Sequence, residues 1–236
     1  MMDDQSASAY LASSESAFIR HGHQWLMHWE DPTDVLFALA GDTGQSLGPF
    51  DTFRICAILG LGPASAVRDL GHEILNEPPD QSHRPQQTIA HALALAHAHD
   101  LWPKENAPYA PDVARQLSLC ANASEKAQII ASMTLLALIG KDGLCPEPNA
   151  YGSLLKTCFD KIPRLDKTDS GAVLLEISFL NRSTGNLREP AQKLLGEAQN
   201  QDGSFLGPSN QLFDKELATL RNLALFKRCH YPTRQP

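Results

Sequence analysis

Four acids stand where solubility alone would not put them. Asp51, Asp169 and Asp214 each open a strongly apolar segment, and Glu176 lies inside AVLLEISFL with apolar neighbours on both sides. A carboxylate at a helix start serves as an N-cap or is stabilised by the helix dipole. The same group, desolvated at the mouth of a cavity, can pass on a proton or hold a cation. Glu176 has no helix-end account, because a buried carboxylate must be paired, neutral or functional. His91 shares a helical face with Leu95 and Trp102 and adds an imidazole, a group that titrates near neutrality. Asp51, His91, Asp169, Glu176 and Asp214 are therefore the candidate catalytic residues, for proton transfer or for stabilising positive charge on a substrate.

The other histidines do not assemble into a metal site by spacing. In HGHQWLMH and HALALAHAH no two histidines fall three or four residues apart, the separation that places two ligands on one helical face. Within its helix, His97 lies on the stripe of Ile89, Leu93 and Leu101, where a core imidazole hydrogen-bonded to a neighbour is expected. No Gly-rich phosphate loop, Gly-x-Ser-x-Gly element or Ser-His-Asp order is present, so hydrolase and nucleotide-dependent classes gain no support and neither a cofactor nor a metal is expected.

Composition narrows the setting. The chain of 236 residues is 42% hydrophobic and 20% charged, an ordinary globular balance with enough apolar surface for a sizeable core. A net charge of −7, with Lys and Arg scattered, gives a phosphate backbone no basic stripe, and nucleic acid is not an expected partner. The acidic start lacks the order of a secretory signal, and the longest apolar run, Ala127 to Gly140, is too short to span a bilayer. A cytoplasmic location is expected. The five cysteines have no pair at metal or redox spacing, so free thiols are expected, mostly in the core.

The elements that must position these groups read as helices throughout, in one all-α domain over residues 1–236. Segments apolar on every side, beginning near Asp51, Thr88, Lys126, Asp169 and Asp214, alternate with one-sided segments at a period of roughly 40 residues, the pattern of stacked helix pairs with inner and outer layers. The expected helices are Ser6 to Trp29, Thr33 to Ala40, Asp51 to Leu61, Ala64 to Asn76, Gln86 to Leu101, Pro111 to Ala121, Glu125 to Ile139, Asn149 to Ile162, Ser170 to Leu180, Glu189 to Gln199 and Asp214 to Lys227. Gly62 and Gly140 sit where helices should end, and Pro190 sits in a first turn. The segment from Gly41 echoes that from Gln201: each carries an acid and a Gly, then Leu-Gly-Pro, then Phe-Asp opening an apolar helix.

Gln199-Asn200-Gln201-Asp202-Gly203-Ser204-Phe205 resembles the Gln-x-x-Asp-Gly-x-Trp element of class II terpene cyclases and of the β-subunits of protein prenyltransferases. Phe205 stands in the place of the usual Trp. The resemblance implies a compact or incomplete α/α toroid, with inner helices ringed by outer ones around an apolar cavity. Gln199 is suited to bond backbone groups left open at a helix end, Gly203 to make a tight turn and Phe205 to plug the gap between helix pairs. The cyclases' Asp-x-Asp-Asp motif has no counterpart here beyond Asp3-Asp4, so the resemblance carries over no catalytic residue.

The expected function is that of a small-molecule biosynthetic enzyme of secondary metabolism. It would fold a hydrophobic or isoprenoid-like substrate in an apolar cavity and promote cyclisation or rearrangement with an acid. The alternative is a helical-repeat module that binds a protein, a peptide or an apolar ligand without chemistry.

Overall fold

A computed structural model of the chain describes residues 2–28, 33–42, 47–76, 93–94, 97–98, 100–101, 160, 165–180, 187–207 and 211–230. Among these residues every regular element is helical and no strand occurs. The helices are α1 (Asp4–Ala12), α2 (Ala17–His28), α3 (Thr33–Asp42), α4 (Pro49–Leu59), α5 (Ser65–Asn76), α6 (Lys167–Leu180), α7 (Arg188–Ala198) and α8 (Leu212–His230). The expected helices at Pro111 to Ala121, Glu125 to Ile139 and Asn149 to Ile162 lie outside the described residues or nearly so, as does most of Gln86 to Leu101.

The single helix expected over Ser6 to Trp29 is two, and the serines between them are the reason. Ser13 Oγ donates to the Tyr10 carbonyl at 2.8 Å and Ser14 Oγ accepts from Ser16 N, while Ser16 Oγ accepts from Ile19 N at 3.3 Å as the cap of α2. Short polar side chains that bond the nearby backbone compete with the helical ladder, and three of them in SSES end one helix and start the next. Two other boundaries shift. The left-handed cap of α4 is Gly60, at φ 84°, and not Gly62. Asp166, whose Oδ1 accepts from Asp169 N at 2.8 Å, starts α6 three residues ahead of the expected first turn.

Of the segments apolar on every side, those beginning near Asp51, Asp169 and Asp214 form the buried middle of the described residues, and those beginning near Thr88 and Lys126 lie outside the described residues or nearly so. On α4 and α6 almost every residue is buried, including Phe53, Cys56, Leu59, Val173, Leu175 and Ile177, whereas α7 buries only Ala191, Gln192 and Leu195. Helix α8 packs against α1, α2, α4 and α6, and α6 packs most closely against α7. Arg228 near the end of α8 donates to the carbonyls of Ala57 and Ile58 at the end of α4, while the beginnings of both helices meet at a shared cavity. The two helices therefore run in the same sense. α6 advances with them: Glu176 meets Arg54 of α4, and Phe179, one turn on, lies 4.3 Å beneath the Arg228 guanidinium.

The turn after α7 is fastened to the start of α1. Gln199 Oε1 accepts from Asp3 N at 2.8 Å, and Gln199 Nε2 donates to the carbonyls of Asp3 at 2.8 Å and Gly203 at 3.1 Å. Gly203 sits at φ 87° against the backbone of Ser6 and Ala7, where a side chain would be both strained and obstructed. Asp202 Oδ1 accepts from the amide and hydroxyl of Ser204. Phe205 is fully buried, and its N–H donates to Thr219 Oγ1 on α8 at 3.0 Å.

Candidate functional site

Helices α4 and α8 line one cavity with the same face pattern, at positions i, i+3, i+4 and i+7. Among the described residues α4 supplies Asp51, Arg54, Ile55 and Ile58, α8 supplies Asp214, Leu217, Ala218 and Arg221, and Leu47 adds to the wall. That spacing is one helical stripe, so each helix turns a strip of mixed chemistry to the other. The cavity holds about 310 Å³, within the size range of small-molecule sites. Asp51 and Asp214 stand in the first turns of their helices, where the dipole favours negative charge. Arg221 stands two turns further along α8, roughly 10 Å from the acid end at 1.5 Å rise per residue.

Behind this wall lies a buried ionic cluster. Arg54 grips Glu176 with two parallel bonds, Nε to Oε1 at 3.1 Å and Nη2 to Oε2 at 2.6 Å, and His97 Nε2 meets Glu176 Oε1 at 2.9 Å. The Glu176 side chain is 1% exposed and that of Arg54 14%, so the carboxylate is sealed while the guanidinium reaches the cavity. Burial alone would raise the Glu176 pKa; the Arg54 charge and the His97 and Arg54 hydrogen bonds outweigh it and hold the carboxyl well below the usual range. Burial likewise works against the charge of Arg54, and Glu176 more than restores it. Glu176 is thus an ionised strut that orients Arg54 with the fork geometry of a bidentate pair.

Arg221 is in a different position. Its contacts among the described residues are two long ones to its neighbour Asn222 Oδ1, at 3.4 and 3.5 Å, and no carboxylate among those residues forms an ion pair with it. Burial, and then the nearby positive charge of Arg54, lower its pKa to about 10. Asn222 is itself fully buried, and its Nδ2 has no partner among the described residues. A half-buried guanidinium held only by weak contacts beside a cavity is electrostatically unfinished.

Of the five candidate residues, the cavity gathers Asp51 and Asp214, which lie on helices 163 positions apart in sequence. Glu176 reaches the cavity through Arg54. Asp169 is in the first turn of α6, half-buried, and is not part of the lining. His91 lies outside the described residues. Among the described residues the lining holds no aromatic ring: Phe50 and Phe53 are in the core, and Phe179 stacks under Arg228. The sequence argument passed over Arg54 and Arg221; it expected His97 as a core imidazole hydrogen-bonded to a neighbour, which His97 is, without naming Glu176 as that neighbour. The signal was available, since Arg54 in FRICAIL and Arg221 in LRNLALF break apolar runs as plainly as Glu176 does in AVLLEISFL.

Comparison with protein families, with curated proteins and with solved structures gives no match. Among the described residues no helix is long and apolar enough to cross a membrane.

Proposed function

We propose that the protein is a small-molecule biosynthetic enzyme whose substrate occupies the cavity between α4 and α8, with the middle helices forming the inner layer of an α/α ring. In this reading Ile55, Ile58, Leu47 and Leu217 hold the apolar body of the substrate, and Asp51 and Asp214 manage protons or positive charge that develops on it during cyclisation or rearrangement. The observation that carries the reading is the meeting of these two distant carboxylates over an apolar floor. The common sense of α4, α6 and α8 supports the layered arrangement, and the apolar lining favours a small guest over a peptide in an open groove.

The experiment is native mass spectrometry of protein exposed to cell extract. Retention of a small molecule by the wild type, and its loss in Leu217→Trp, which fills the cavity, is the expected outcome. Asp51→Asn and Asp214→Asn should keep the molecule bound and leave it unconverted. Co-purification of a polypeptide with an empty cavity would replace this reading with that of a binding module.

A further inference from the structure

We propose that the ligand of this cavity carries an oxyanion, a carboxylate or a phosphate, seated on Arg221 beside Arg54; this rests on the small-molecule reading above. The argument starts from what each charge already has. Arg54 is committed to Glu176 through two short bonds, and Glu176 Oε1 is shared with His97. That leaves Arg221 as the guanidinium at the wall with no direct carboxylate partner among the described residues, Glu176 and Asp166 acting on it only through longer-range attraction. Arginine presents a planar fork of donors that matches the oxygens of a carboxylate or phosphate, and it stays charged under any physiological condition.

The order of charges along the wall adds direction. The carboxylates of Asp51 and Asp214 belong to the first turns of α4 and α8, Arg54 with Ile55, Leu217 and Ala218 to the next turn, and Ile58 with Arg221 to the turn beyond. A ligand lying along the wall would put its oxyanion at Arg221 and its apolar body against Ile55, Ile58, Leu217 and Ala218. Its other end would face the two acids, where a cationic or hydrogen-bond-donating group is accepted and a second anion is repelled. An anion at Arg221 would also offset the repulsion from Arg54 and the cost of burying the guanidinium. The site therefore discriminates by charge along its length, with the two acids at one end and the arginines along the rest of the wall.

The test is a calorimetric titration of the full chain with four six-carbon probes: hexanoate, hexyl phosphate, hexylammonium and hexanol. The expected result is that hexanoate or hexyl phosphate binds at least tenfold more tightly than hexanol, the better of the two identifying the oxyanion, while any hexylammonium binding is lost in Asp51→Asn rather than in Arg221→Gln. Arg221→Gln should abolish that tenfold preference and Arg221→Lys should retain part of it. Asp51→Asn, which removes a negative charge from the far end, should strengthen anion binding, and this arm stands even if Arg221→Gln does not fold. Equal binding of hexanol and hexanoate, or an anion preference that survives in folded Arg221→Gln, overturns the inference while leaving the cavity reading intact. Failure of all four probes to bind overturns both.

Discussion

Glu176→Gln should destabilise the protein severely, although the substitution barely changes the shape of the side chain. In the native protein the carboxylate balances Arg54 and accepts from both of its nitrogens and from His97 at 2.6–3.1 Å, with 1% of the side chain exposed. A glutamine keeps one acceptor oxygen and aims an amide nitrogen at one of those donors. Removing one partner of a buried ion pair costs about 3–5 kcal/mol. The Arg54 side chain retains 14% exposure at the cavity, so water repays part of this and about 2–4 kcal/mol is expected. At this chain length that corresponds to a fall in Tm of roughly 5–15 °C. The assay is urea unfolding followed by circular dichroism, with Arg54→Met/Glu176→Gln to complete a double-mutant cycle. The double variant should recover most of the loss, because the unmatched charge goes with it. A Glu176→Gln protein within about 0.5 kcal/mol of wild type, the range of an ordinary surface substitution, would refute the ion-cluster account.

The remaining predictions are independent of that cycle. Because the folded pKa of Glu176 lies below the ordinary value of 4.5, its contribution is complete above that value. It declines as pH falls further, by up to about 1.4 kcal/mol per unit, and pH-dependent unfolding of Glu176→Gln should lack this component. Gly203→Ala should cost at least about 2 kcal/mol in denaturant unfolding, since the residue combines φ 87° with contact against the Ser6 backbone. Phe205→Ala should cost about 3–5 kcal/mol, as a fully buried ring is lost from the seam with α8. Cys56, fully buried with its thiol pushed up to about 12 by desolvation, should resist iodoacetamide at pH 8 in the native protein and react in urea, as peptide mass mapping will show.

The helical class and the buried identity of α4, α6 and α8 were legible because both follow from apolar periodicity, a property local to each segment. The break at Ser13–Ser16 was missed because the surrounding apolar pattern continues across it and only the serine hydroxyls argue for a stop. At the site, Asp51 and Asp214 stood out by position, and the Phe-Asp echo between Phe50-Asp51 and Phe213-Asp214 hinted that they are equivalent places on equivalent helices. Their meeting at one cavity is a tertiary fact with no local signal. The same holds for the pairing of Glu176 with Arg54 and His97, partners 122 and 79 positions away. A buried acid announces that it needs a partner, and the chain between them does not say which.

The most direct test of the central claim is an NMR titration of protein labelled at the isoleucine methyls with hexanol and hexanoate. Ile55 and Ile58 line the cavity, whereas Ile19 and Ile177 are buried away from it and serve as controls. Saturable shifts confined to Ile55 and Ile58, and absent in Leu217→Trp, are the predicted result. Unmoved Ile55 and Ile58 methyls at millimolar ligand, or shifts spread equally over all four residues, would contradict a small-molecule site between α4 and α8.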